Sequence, residues 1–159
     1  MLSISQYIEI LGNPNPTKVI AQRDCPVEIT KYQAIYIPDL ESDPEGILHS
    51  IAYTNVSDAK VLAIKFGIAA FDIFNGMLDK FSGFAIEELD VARSATNEWR
   101  QSSCSPWMFK TLGTGVVYLD AVRFENNQFW YADYGEVLKE MQRIEEGLTR
   151  DDLKDKIGR

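Results

Sequence analysis

The sequence predicts a mainly β protein, a two-sheet antiparallel sandwich with a short N-terminal helix and a C-terminal helical segment. Three observations carry that expectation. From Cys25 to Asp133 the apolar residues recur with period two, the period of a half-buried strand. Turn clusters break this stretch at intervals near those of all-β sandwiches. After residue 132 the period lengthens to that of an amphipathic helix. The 159 residues weigh 18.0 kDa, and a chain of that mass buries roughly two-thirds of its extended surface, enough for one core. The expected organisation is a single domain: helix and linker over 1–24, sandwich over 25–132, helices over 133–159.

Residues 3–11 form the first expected helix, with Ser3 as N-cap, Gly12 as stop, and Ile4, Ile8 and Leu11 on one face. A proline-rich break follows. Val27, Ile29, Ala34, Ile35 and Ile37 mark the first strand region, residues 38–46 a turn cluster, and residues 47–55 the second strand. Residues 61–74 form a long third strand. Asn75-Gly76 lies between two apolar runs, the signal for a two-residue type I′ hairpin, with 77–86 returning antiparallel. Residues 96–101, holding Trp99, and 115–124 are further strands. Asn126-Asn127 reads as a second two-residue turn, which would set Phe124 opposite Phe129 and Val122 opposite Tyr131. Asp133 and Glu136 make a capping box for a helix over 133–146. Thr149 and Asp152 start a shorter one over 149–157, with Leu148 and Leu153 as its staple.

Composition narrows the functional classes. At 45% hydrophobic and 25% charged the chain is globular, not low-complexity. Sixteen basic against 24 acidic residues give a net charge of −8, which opposes binding to a nucleic-acid backbone. No apolar run reaches the ~20 residues of a membrane-spanning helix; the longest, 61–74, is interrupted by Lys65 and Asp72. Residues 1–11 carry no Lys or Arg and include Glu9, so no secretory signal is read and the expected location is cytoplasmic. In that compartment Cys25 and Cys104 are expected as free thiols.

The stretch 47–99 carries a particular turn chemistry. Asn55 ends a strand, Ser57-Asp58 make the turn, an apolar strand runs through Phe71-Asp72 to Asn75-Gly76, and Leu89 precedes the next strand. This pattern resembles the bacterial immunoglobulin- or fibronectin-like sandwich domains, among them the FxLYD-type domains. The resemblance implies an immunoglobulin-like sandwich and a binding or scaffolding role, and it brings no catalytic residues.

No catalytic motif appears. Asp39, Glu41, Asp43 and Glu45 alternate on one loop, but an EF-hand beginning at Asp39 would place Pro44 and Ser50 where Gly and Glu are required. His49 is the only histidine, too few for the usual metalloenzyme, and its spacing with Ile47, Ile51 and Tyr53 reads as a partly buried strand residue. Glu87-Glu88 and Glu145-Glu146 are adjacent pairs that make no glycosidase dyad. Gly113-Thr114-Gly115 precedes a strand and lacks the Walker lysine. No enzymatic activity, cofactor or metal is therefore expected.

Two features point to contacts with other molecules. Trp107, Trp130 and Tyr131 belong to an aromatic set suited to hot spots or to stacking on a small ligand, with Trp107 expected to be exposed. Val137, Leu138, Met141 and Ile144, continued by Leu148, form an apolar stripe that must dock on something, because so short a helix does not hold itself in water. It covers either the chain's own sandwich or a partner's groove. The sequence thus suggests a non-enzymatic interaction module with a protein partner or a second copy. A small-ligand or carbohydrate binder using its exposed aromatics is the alternative.

Overall fold

The computed structural model describes residues 2–38, 44–102 and 107–154. Helix α1 (Ile4–Leu11) begins where Ser3 and Gln6 cap each other: Gln6 N donates to Ser3 Oγ (3.3 Å) and Ser3 N to Gln6 Oε1 (2.8 Å). It ends at Gly12, whose φ of +101° is open to glycine. Eight strands follow: β1 (Thr17–Val19), β2 (Val27–Ile37), β3 (Gly46–Asn55), β4 (Val61–Asp72), β5 (Met77–Ala85), β6 (Ser94–Ser102), β7 (Leu112–Phe124) and β8 (Phe129–Tyr131). Helix α2 (Tyr134–Met141) and a 3₁₀ turn (Arg150–Leu153) close the described chain.

The strands form two sheets, as expected. One is three-stranded, in the order β2-β3-β6. The other is five-stranded: β7-β4-β5 with β1 and β8 sharing the outer edge of β7, β1 opposite residues 115–117 and β8 opposite 121–123. Along the chain the strands alternate between the sheets: β2 and β3 lie in one, β4 and β5 in the other, β6 returns to the first, and β7 and β8 to the second. Strand β1 departs from the expectation twice. It lies in the segment read as linker, and it runs parallel to β7. Three residues give no periodicity to read; pairing with β7 makes them a strand.

Three apolar clusters explain the sequence pattern. The principal core lies between the sheets and includes Val27, Ile51, Tyr53, Phe66, Ile68 and Leu119, with Trp99 packed against it. A second, with Ile4, Tyr7, Ile35, Ile37 and Leu48, lies beneath α1 on the outer face of the three-stranded sheet. A third joins Ala69, Phe71, Val116 and Tyr118, on the outer face of the five-stranded sheet, to Val137, Met141, Leu148 and Leu153. Strands β3 and β4 are central and covered on both faces, which is why they read as nearly continuous apolar runs. Gly67 is held to glycine by its cross-strand partner: a Cβ there would lie 2.1 Å from the Tyr118 ring.

The turn signals mark real hairpins, but of another type. Asn75 N donates to Asp72 O (3.0 Å), Asp72 N to Gly76 O (2.8 Å), and only Asn75 has positive φ (+65°). That is a type I turn followed by a left-handed residue, not type I′, and β4 accordingly ends at Asp72 rather than residue 74. The 124–128 turn repeats the construction, with Asn127 at φ +61°. The extra loop residue shifts the register by one. Val122 faces Trp130 and Arg123 faces Phe129, so neither Phe124–Phe129 nor Val122–Tyr131 forms, and every β8 side chain changes face.

The C-terminal helix is shorter than 133–146. Asp133 Oδ1 caps it through the N–H groups of Gly135 and Glu136. The reciprocal half of the box is missing, because the Glu136 carboxylate accepts from Arg23 N instead (2.7 Å). Asp152 does return to Thr149, accepting from its N–H at 2.8 Å. The second helix shortens to the 3₁₀ turn, and its remainder from residue 155 lies outside the described residues. Asn55, fully buried, locks the turn that follows it: its Nδ2 donates to Ala59 O and Leu89 O, and its Oδ1 accepts from Ser57 N and Oγ.

Candidate functional site

The outer face of the five-stranded sheet has a covered half, an uncovered half, and a cavity between them. The cavity begins with a β-bulge. Phe66 faces Leu119 and Lys65 faces Ala121, leaving Asp120 as the extra residue, its side chain re-aimed outward. Asp120 is buried, accepts from Tyr134 Oη, and lies 3.5 Å from Lys65 Nζ. Lys80, on the neighbouring strand, is also buried, its Nζ 5.7 Å from the Tyr118 ring centroid. The C-terminal segment supplies the other wall with Tyr134, Arg150, Leu153 and Lys154, and the cavity, about 480 Å³, opens to solvent. Among the described lining residues stand four cationic side chains and one carboxylate, in a chain of net charge −8.

Beyond the cavity the face is open. Phe129 and Tyr131 are 50% and 64% exposed and stack on each other, centroids 6.1 Å apart and planes within 10°. Arg123 lies over Phe129, its Cζ 5.6 Å from the ring centroid. Phe84 is exposed on the same face, with Lys65 Nζ 5.9 Å from its centroid. The cause is the β8 register: a one-residue difference would have turned Phe129 and Tyr131 inward and Trp130 outward.

The residues expected to meet partners therefore scatter. Trp107 is exposed, at φ +67° with Lys110 Nζ 5.0 Å from its centroid. Tyr131 is exposed, but Trp130 is half-buried between the principal and C-terminal clusters. Trp107 precedes the start of β7 while Tyr131 pairs with Ala121, ~30 Å along that strand, so these aromatics share no platform. Val137 and Met141 are fully buried on the chain's own sheet, with Leu138 and Ile144 packed against the same cluster. The stripe's apolar face is spent internally.

Sequence reading missed Lys65, Lys80, Asp120 and Arg150. A signal existed for Lys65 and Asp120: each interrupts an apolar strand with a single charge, and a lone charge in a buried strand has to be paired or to line a hollow.

The candidate chemical groups resolve differently. His49 is completely buried. Tyr32 Oη lies 2.8 Å from His49 Nδ1, His49 Nε2 3.0 Å from Gln101 Oε1, and Gln101 Nε2 2.7 Å from Asp79 Oδ2. A carboxylate only accepts, so Gln101 donates to Asp79, His49 Nε2–H donates to Gln101, and Nδ1 accepts from Tyr32. Burial lowers the His49 pKa to about 4, against a smaller opposing effect of the Gln101 hydrogen bond, which keeps the imidazole neutral near pH 7. Burial, reinforced by Glu136 and Asp24, raises the free Cys25 thiol to about 11, far from the thiolate needed for nucleophilic chemistry. Cys104, Asp39, Glu41 and Asp43 lie outside the described residues. Glu45 is no solvated turn residue: it is nearly buried, accepting from Tyr36 Oη (2.9 Å) and Phe109 N (3.2 Å). Gly113-Thr114-Gly115 lies within β7, and Glu145 accepts from Met77 N. Among the described residues no three His, Cys, Asp or Glu side chains converge on a metal position, and no helix is long and apolar enough to cross a membrane.

No family model matches the chain, and no curated protein matches it. Solved structures do. A hypothetical protein of Peptoclostridium difficile 630 superposes with a TM-score of 0.57 at 8% identity, over 76% of this chain and 93% of that one. The structural-genomics target SoR45 gives 0.43 at 13% identity, over 67% and 80%. The putative ApaA protein of Bordetella pertussis gives 0.37 at 15% identity, over 66% and 86%. The first similarity is one of fold.

Proposed function

We propose that this chain is a non-catalytic binding module that docks a protein partner on the uncovered half of its five-stranded sheet. One observation carries the reading: Phe129, Tyr131 and Arg123 form an ordered, exposed aromatic–guanidinium ledge, the residue types that dominate binding energy at interfaces. Folding alone gives little reason to expose two stacked rings on a three-residue edge strand. The binding role implied by the resemblance to immunoglobulin- and fibronectin-like domains agrees, as does the neutral, enclosed state of the only histidine. The contact moves from the C-terminal stripe to β8, because the stripe already covers the third cluster.

Deleting the C-terminal segment would uncover that cluster, so substitution is the cleaner test. Full-length protein and a Phe129→Ser, Tyr131→Ser double variant are compared by affinity capture and by light scattering for self-association. The expected result is a partner, or a dimer, present with the parent chain and lost with the folded double variant. Equal capture and equal mass with both would remove this ledge as the contact.

A second reading, small-ligand binding, is favoured by the cavity beside the ledge, through its cations rather than through Trp107, Trp130 and Tyr131.

A further inference from the structure

We propose that the outer edge of β6 pairs with the same edge of a second copy of this chain, antiparallel about a two-fold axis at Trp99, so that two three-stranded sheets become one continuous sheet. An edge strand offers a row of backbone N–H and C=O groups to any strand that reaches it, and folded proteins blunt such edges. The other edge strands here are blunted. β1 and β8 have three residues each. β2 carries a bulge between Ile29 and Lys31, and residues 15–17 cap its outer side: Asn15 N donates to Ala34 O (2.9 Å), Tyr36 N to Asn15 Oδ1 (3.0 Å) and Thr17 Oγ1 to Tyr32 O (3.0 Å). β5 is met by side chains at both ends, its Met77 N donating to Glu145 Oε2 (3.0 Å) and its Phe84 O accepting from Trp99 Nε1 (3.2 Å). β6 is built otherwise. Its nine residues pair with β3 in unbroken register and include no proline and no lysine. Among the described residues, no hydrogen bond occupies the outward backbone groups of residues 94–99.

The side chains of β6 commit that edge to its own kind. Charges on an edge ordinarily repel a second strand, but Glu98 and Arg100 stand two residues apart on one face with opposite signs. Antiparallel partners share one hydrogen-bonding orientation, so the axis has to pass through a residue. An axis at Trp99 sets Glu98 opposite Arg100 of the second copy, twice over, and Thr96 opposite Ser102, a hydroxyl pair. An axis at Glu98 would set carboxylate against carboxylate, and one at Asn97 would give neither charge an opposite. Helix α1 already orients the two charged side chains. Glu98 accepts from Ile4 N (3.2 Å), and Arg100 donates to Tyr7 Oη (3.3 Å) and to Pro44 O. A carboxylate has about four acceptor sites and a guanidinium about five donors, so these bonds are kept when the cross-axis pair forms. Trp99 points the other way, into the principal core, its ring 5.6 Å from that of Phe66, and leaves the axis clear. This edge belongs to the three-stranded sheet and the β8 ledge to the other, so either proposal stands if the other fails.

The test is sedimentation equilibrium of the full chain and its charge variants. The parent chain is expected to dimerise in the micromolar range. Glu98→Arg alone and Arg100→Glu alone should each weaken the dimer about tenfold or more, because each sets like charges opposite at both places. Mixed in equal amounts, the two variants should form a heterodimer within about threefold of the parent affinity, because every cross-axis pair then regains opposite signs. A purely structural role of either residue would give no such rescue. Thr96→Lys, at an exposed position and with both charges kept, should also weaken the dimer. The Phe129→Ser, Tyr131→Ser variant should leave it unchanged. A parent chain still monomeric at about 1 mM, single variants that dimerise like the parent or are not restored by mixing, or a dimer lost with the β8 double variant would each overturn the proposal.

Discussion

Two polar clusters in this protein are built in opposite ways. The first, Tyr32–His49–Gln101–Asp79, runs between the sheets as a directed chain of hydrogen bonds. Its histidine is neutral and the Phe81 ring lies against it, 5.3 Å between centroids. The second, Tyr134–Asp120–Lys65, lies behind the five-stranded sheet and opens on a cavity lined by further cations. In the first, polar groups spend their hydrogen bonds on one another, and the result is a specified core. In the second, charged side chains line a pocket that opens to solvent and are less confined. Substitutions in the first should cost more stability than substitutions in the second.

The largest expected effect is on the closed cluster. His49→Ala leaves Tyr32 Oη and Gln101 without their partner and opens a hollow in the core; a loss of roughly 3–5 kcal/mol is expected in urea denaturation. A loss under about 1 kcal/mol would mean that the chain does not hold the sheets together.

Acid should act through the same residue. The His49 pKa lies below its unfolded value of 6.5, at about 4. Between those values the unfolded chain binds a proton that the folded one refuses, so this contribution is intact above pH 6.5 and lost as pH falls toward 4. The loss is roughly 3 kcal/mol. Denaturation midpoints across that window measure it, and His49→Gln should flatten the corresponding slope.

The open cluster should respond less in stability. Asp120→Asn gives up the ion pair with Lys65 while keeping an acceptor for Tyr134, and a loss of about 1–2 kcal/mol is expected by denaturation. Smallest of all, Arg150→Gln should shift stability by less than about 0.5 kcal/mol. A large destabilisation there would make the cavity a structural ion cluster and dissolve the contrast.

How far the sequence was legible follows the same division. The strands, the Ser3 cap, the Thr149–Asp152 return and the exposure of Trp107 could be read locally, because period-two alternation and capping are properties of neighbours in the chain. The hairpins at 72–76 and 124–128 were legible as hairpins but not in type. Asn-Gly and Asn-Asn are compatible with two loops that differ by one residue, and that residue decides whether Trp130 or Tyr131 faces water. Of the site, only the lone charges at Lys65 and Asp120 left a trace, with nothing to say that they converge.

By itself the sequence determined the two-layer sandwich with its helical ends, because burying alternating faces in one small core leaves few other arrangements. It also determined the acidic surface and the absence of familiar catalytic motifs. Tertiary structure alone decided that β1 is a strand, that the C-terminal stripe folds back on its own sheet, and that a bulge at Asp120 turns a carboxylate toward Lys65 and Tyr134. Those outcomes depend on register and on contacts between residues far apart in the chain, such as Lys65 with Asp120, and local periodicity holds no record of them.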